Sequence, residues 1–187
     1  MSFEELARHE REGEDFRVVV KDRNSATTIL APHGGRIESG TSEIAQAVAG
    51  EGFNLYCFEG IKRSGNYALL HIASDRFDEP RCIRLVSRSR NVIAIHGCRG
   101  VRKSVLLGGR NEPLKRVLAL NLREAGISVR EEGHPFSGER PDNICNRGIE
   151  GEGIQCELTS RLRDGSARDI FIKTVRATLL MHPAVPV

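Results

Sequence analysis

Short apolar runs alternate along the chain with stretches of helical periodicity, the order expected of an α/β fold whose sheet is covered by helices. Eight runs predict strands: 16–21 (FRVVVK), 27–31 (TTILA), 54–58 (NLYCF), 68–72 (ALLHI), 92–96 (VIAIH), 105–107, 127–130 and 154–158 (IQCEL). Helices are expected over 41–49, 80–88, 112–125 and 167–181, and the charged start of the chain reads as amphipathic. The third of these helices is the best marked. Asn111 can cap it, Pro113 suits its first turn, Leu114, Val117, Leu118 and Leu122 recur on one side, and Gly126 ends it. Between 132 and 152 the chain is rich in Gly, Pro, Asn and charge without periodicity, which predicts a long loop that is either functional or disordered. No repeat or linker interrupts the pattern, so residues 1–187 read as a single domain with a mixed, mostly parallel sheet flanked by helices.

Composition narrows the classes of function. A hydrophobic content of 39% with 28% charged residues is that of a globular protein, and no apolar run has the length of a membrane span. The start lacks the basic and apolar regions of a secretory signal, so the expectation is a cytoplasmic protein whose release, if any, comes by lysis. Five cysteines without C-x-x-C spacing argue against a disulfide framework. The formal charge of +3 is small, although arginine is dense between 81 and 103; Arg84, Arg88 and Arg90 in part suit a solvated helix face.

Three strand ends carry chemistry. In ILAPHGGRIESGTSEI, a strand leads into His33, the pair Gly34-Gly35 permits a tight bend, and Glu38 stands just before a helix. In NVIAIHG a second strand ends on His96 before a glycine. The C-terminal ends of strands are where open α/β sheets place ligands. Two histidines with one glutamate form the donor set of catalytic zinc sites that leave a further position for water. The third end, GIQCELT, puts Gln155 and Glu157 on one side and Ile154, Cys156 and Leu158 on the other. Glu157 is thus either a general base beside a metal or the partner of an arginine. Cys98 and His71 also lie close to strand ends, as a possible soft ligand and a supporting residue respectively.

APHGGRIESGTSEIA, YALLHIASDRFDEP, VIAIHG and PDNICNRGIEGEGIQCELT, in that order, resemble the poly-gamma-glutamate hydrolase family, which phages encode and bacteria contain, over nearly the whole chain. The resemblance implies a compact zinc carboxypeptidase-like fold, with Zn2+ held by His33, Glu38 and His96, and Glu157 as general base. It also implies attack on an amide by metal-activated water. Arg110 and Arg147 become the candidates for gripping substrate carboxylates, because a guanidinium matches a carboxylate with two parallel hydrogen bonds.

The leading expectation is therefore zinc-dependent hydrolysis of γ-glutamyl amide bonds in an anionic polymer. A second reading is an amidase or peptidase acting on a short γ-glutamyl or cell-wall peptide. A third, from another class, is a non-catalytic phage-associated protein that binds an anion or nucleic acid. An aromatic content of 5%, the absence of Trp and the lack of a nucleic-acid motif weigh against the third.

Overall fold

A computed structural model describes residues 1–184; residues 185–187, the last of the span expected to form one domain, lie outside the described residues. Seven strands form one sheet: β1 (Phe16–Lys21), β2 (Thr27–Gly35), β3 (Asn54–Gly60), β4 (Asn91–Cys98), β5 (Ser104–Gly108), β6 (Ser128–Arg130) and β7 (Ile154–Thr159). They lie side by side in the order β1-β3-β2-β4-β7-β5-β6. β3, β2, β4 and β7 are parallel neighbours, whereas β1 and β5 run antiparallel to β3 and β7 respectively. The central strands are buried along nearly their whole length, because helices cover both faces of the sheet.

On one face lie α2 (Thr41–Ala49), α5 (Glu112–Glu124) and α6 (Ser166–Met181), which bring Ile44, Leu118 and Phe171 against Ile29, Ile93 and Cys156. On the other, α1 (Phe3–Ala7), α3 (Asn66–Leu70) and α4 (Pro80–Val86), with a 3-10 turn at Ile144–Asn146, bring Leu6, Leu70, Leu85 and Ile144 against Leu30, Tyr56, Phe58 and Ala94. The helix that the sequence marks best keeps its cap: Asn111 Oδ1 accepts from the Leu114 amide at 3.1 Å. Gly126, at φ +82, turns the chain after it. Along this helix Leu118 is 1% exposed and Leu120 55% exposed. Leu118→Ala is expected to lower unfolding stability by about 2–5 kcal/mol, and Leu120→Ala to stay within about 0.5 kcal/mol. Urea unfolding of the two variants at equal slope checks the assignment of faces.

The strand expected at 68–72 is absent among the described residues. Residues 66–70 instead form the short helix α3, entered through Gly65 at φ +75, and His71 is its C-cap. Only Asn66 and Leu70 of this helix are buried, while Tyr67 and Leu69 are 62% and 45% exposed. One turn of helix laid on the sheet buries a single side, whereas a strand there would have to pair with a neighbour. The cysteines are all free thiols, as expected. Of the arginines in the dense stretch, Arg88 pairs with Asp22 and Arg90 with Glu150, so part of that stretch is surface ion pairing.

Candidate active site

The C-terminal ends of β2, β4 and β7 open into a cavity of about 950 Å³. His33, Glu38, His71, His96 and Glu157 all line it. β2 continues past its expected end through Pro32 to Gly35, with a register shift against β3 between Ala31 and Gly34. Such a bulge re-aims the side chains within it, and His33 is one of them. The two glycines then allow the backbone to pass where nothing larger fits: a Cβ on Gly34 would collide with Ser42 Oγ, and one on Gly35, already at φ +62, would lie 2.6 Å from the Gly60 carbonyl. The bend closes with the Glu38 amide donating to the His33 carbonyl at 2.9 Å.

Within the cavity, His33 Nδ1 lies 3.2 Å from Glu38 Oε1 and 3.1 Å from His96 Nδ1. His96 Nδ1 is in turn 3.7 Å from Glu38 Oε2. The other nitrogen of His33 sits 2.6 Å from the Ile72 carbonyl, which accepts only a proton-bearing nitrogen. That bond puts a proton on Nε2 and aims Nδ1 at the cluster. Glu38 is oriented by the Gly97 amide, which donates to Oε2 at 2.7 Å. Burial opposes the charge on Glu38, but His33 and then His96 outweigh it and hold its carboxyl far below the usual range. For His96, burial favours the neutral ring, yet the bond to Glu38 and the charge of Glu157 together raise its pKa.

This donor set fits a zinc ion. Two nitrogens each about 2.0–2.1 Å from one zinc at a tetrahedral angle are roughly 3.3 Å apart, close to the 3.1 Å between the two Nδ1 atoms. His71 offers a further donor, since it joins His33 and Glu38 in a group whose ligand atoms all lie within 4.8 Å of one another. The rings of His33 and His71 stack at 28°, and those of His33 and His96 incline at 61°. Burial and the neighbouring His33 lower the pKa of His71 to about 4, which keeps it neutral at ordinary pH. Cys98 also lines the cavity, but burial and then the charge of Glu157 push its thiol up to about 11, so it stays protonated there.

Glu157 stands beside His96, its register partner across β4 and β7. The alternation read from IQCEL holds: Ile154, Cys156 and Leu158 enter the core, and Gln155 and Glu157 face the cavity. No arginine or lysine pairs with Glu157 among the described residues. Its partner is Gln155, whose Nε2 donates to Oε1 at 3.2 Å, and Gln155 in turn accepts from Asn143 Nδ2 at 2.9 Å. Asn143 is set by the Cys145 amide, which donates to its Oδ1 at 3.1 Å. Burial raises the pKa of Glu157, His96 opposes the rise and Glu38 adds to it.

Arg110 and Arg147, expected to grip substrate carboxylates, are exposed and line no wall of this cavity. β5 runs against β7, so the Gly108-Gly109-Arg110 turn emerges at the other end of that strand, where the Asn111 amide donates to the Gly153 carbonyl. Arg147 caps the 3-10 turn and donates to the Phe77 carbonyl at 3.2 Å. The arginines that do line the cavity are Arg99, Arg140 and Arg163. Arg140 is shared with Asp142 and Asp75. Arg163 is held by the carbonyls of Ser39, Cys98 and Leu158 with no acidic partner among the described residues. Pro135 to Arg140, within the long loop, form another wall, while His134 turns to the Leu107 carbonyl.

A family model for poly-gamma-glutamate hydrolase matches residues 1–178. The chain belongs to the poly-gamma-glutamate hydrolase family. Membership supports a hydrolase function. The UPF0714 protein YndL of Bacillus subtilis (strain 168) is 37% identical over 87% of this chain and 64% of its own length. The SPbeta prophage-derived UPF0714 protein YoqZ of the same strain is 35% identical over 87% of this chain, which spans 59% of it. The fold is that of a bacteriophage poly-gamma-glutamate hydrolase, with a TM-score of 0.92 at 29% identity over 97% of this chain and 96% of that one. A structure named "YNDL-apo (Zinc-free)" matches with a TM-score of 0.89 at 32% identity, covering 96% of each chain.

Proposed function

We propose that this member of the family hydrolyses γ-glutamyl amide bonds in poly-γ-glutamate, using Zn2+ held by His33, Glu38 and His96 and a proton carried by Glu157. The observation that carries the reading is the convergence of His33 Nδ1, His96 Nδ1 and the Glu38 carboxylate within 3.7 Å, in the same cavity as a buried carboxylate that pairs with no arginine or lysine among the described residues. The name of the zinc-free YNDL structure supports the choice of metal, and the phage hydrolase supports the choice of polymer.

Bound by these three residues, zinc would polarise the scissile carbonyl and acidify an attacking water. The chain's own groups do the rest. The bond from Nε2 to the Ile72 carbonyl holds the His33 ring with Nδ1 aimed at the cluster, and the Gly97 amide keeps Glu38 turned inward. Glu157 takes a proton from the attacking water and hands it to the departing amine, for which a carboxyl whose pKa burial has raised is well matched. Gln155 and Asn143 hold that carboxyl in place without neutralising it. Arg163, fixed by three carbonyls, presents positive charge to the carboxylates of the substrate. The carboxypeptidase-like likeness belongs to this reading as one of architecture more than motif, since here glutamate follows histidine by five positions in H-G-G-R-I-E.

The test is to incubate zinc-loaded protein with γ-linked and with α-linked polyglutamate and follow chain length and new amino ends. Shortening of the γ-linked polymer alone is expected. An intact γ-polymer alongside cleavage of short γ-glutamyl or cell-wall peptides would keep the metal site and overturn the substrate.

A further inference from the structure

Two loops at the rim of the cavity carry five cations and one acid. Residues 98–103 contribute Arg99, Arg102 and Lys103, residues 159–164 contribute Arg161 and Arg163, and Asp164 is the acid. The loops are bonded into one surface. The Arg161 amide donates to the Gly100 carbonyl at 3.4 Å, Ser160 Oγ to the Cys98 carbonyl at 3.3 Å and Thr159 Oγ1 to the Arg102 carbonyl at 2.6 Å. Arg99 and Arg163 line the cavity itself, while Arg102, Lys103 and Arg161 are exposed beyond it.

Some surface arginines elsewhere are matched with acids, as in Arg8 with Glu4, Arg123 with Glu131 and Arg168 with Asp169, and others, such as Arg63 and Arg116, stand apart rather than in a cluster. Here the side chains of Arg99, Arg102, Lys103 and Arg161 make no hydrogen bond or ion pair among the described residues. Like charges brought together on a hydrogen-bonded frame repel, and an anion lying across them relieves that repulsion. A chain with one carboxylate per unit is such an anion.

We infer that loops 98–103 and 159–164 form a polyanion-binding track that continues the cavity outward, so that a long γ-linked polycarboxylate is held by Arg102, Lys103 and Arg161 while its scissile bond lies at the metal cluster. The inference rests on the substrate reading above. It makes the protein selective for long chains, because a short γ-glutamyl peptide fills the cavity without reaching the three outer cations. Attraction of this kind is screened over about 8 Å at physiological salt, so the selectivity is also salt-dependent.

The test combines Arg102→Gln, Lys103→Gln and Arg161→Gln, none of which removes a side-chain hydrogen bond or ion pair among the described residues. Binding of fluorescent poly-γ-glutamate is measured in a Glu157→Gln background, where the polymer persists, across a series of salt concentrations. The triple variant is expected to bind the long polymer about ten-fold more weakly at low salt and with a shallower salt dependence. In the otherwise native protein, hydrolysis of a γ-glutamyl tripeptide is expected to be unchanged. Equal polymer affinity and equal salt slope would overturn the track, as would capture of duplex DNA by these residues with none of poly-γ-glutamate. Track-dependent binding by a native protein that leaves the polymer uncut would support the track and refute the hydrolase reading. Cleavage with identical salt dependence in native and triple-variant proteins would do the reverse.

Discussion

Glu157→Gln is expected to slow hydrolysis by about 10²- to 10⁴-fold while leaving bound metal and stability nearly unchanged. The substitution keeps the shape of the side chain and an oxygen that can accept from Gln155 Nε2, so the link back to Asn143 survives. What it removes is the group that receives a proton. Glu157 is 6% exposed and pairs with no arginine or lysine among the described residues, so a purely structural role as a salt-bridge partner has no residue there to support it. Gln155→Ala separates chemistry from positioning: it should lower kcat by a smaller factor than Glu157→Gln and leave metal content intact. A Glu157→Gln protein that works within a few-fold of the native rate would remove Glu157 from the mechanism.

His96→Ala is expected to abolish stoichiometric zinc binding and turnover together. At a hundred-fold excess of ligand over its dissociation constant, a bound metal stabilises the folded state by about 2.7 kcal/mol. For a chain of this length that corresponds to roughly 5–10 °C in Tm. Chelation should therefore lower the Tm of the native protein by about that amount and leave that of His96→Ala unmoved. The interactions with Glu38 and Glu157 raise the pKa of His96 despite its burial, so a proton competes for this nitrogen at higher pH than for a free imidazole. Zinc uptake should release protons, and affinity should fall as pH falls through the histidine range, read as a buffer-dependent binding enthalpy. His71→Ala supplies the contrast: with His33, Glu38 and His96 as the proposed ligands, its loss should leave one zinc per chain in place.

The parts of the site legible in the sequence were those where a polar residue interrupts a buried strand. His33, His96 and Glu157 each break an apolar run that has to lie inside the sheet, and such a break needs a reason that local pattern alone exposes. Arg110 and Arg147 had no such anchor. Whether a loop arginine faces a cavity depends on the direction of the strand before it, and β5 turned out to run antiparallel to β7. Arg163 escaped notice for the same reason: its place is set by carbonyls from three separated segments. Gln155 was visible on the face of Glu157, but its bond to Asn143 crosses between strand and loop. The misread segment 68–72 shows the limit of an apolar run as a signal, since five such residues suit a buried strand or one helical turn equally. Gly65 in the left-handed region decided for the turn.

The central claim is that one metal-dependent site cuts a γ-linked glutamyl polymer. Its most direct test is the chain length of poly-γ-glutamate after incubation with the protein as purified, after chelation, and after zinc is returned, with metal content measured in each case. The account predicts shortening that stops on chelation and resumes with zinc. Shortening that persists in fully metal-free protein, or an intact polymer in the presence of protein carrying one zinc per chain, would contradict it.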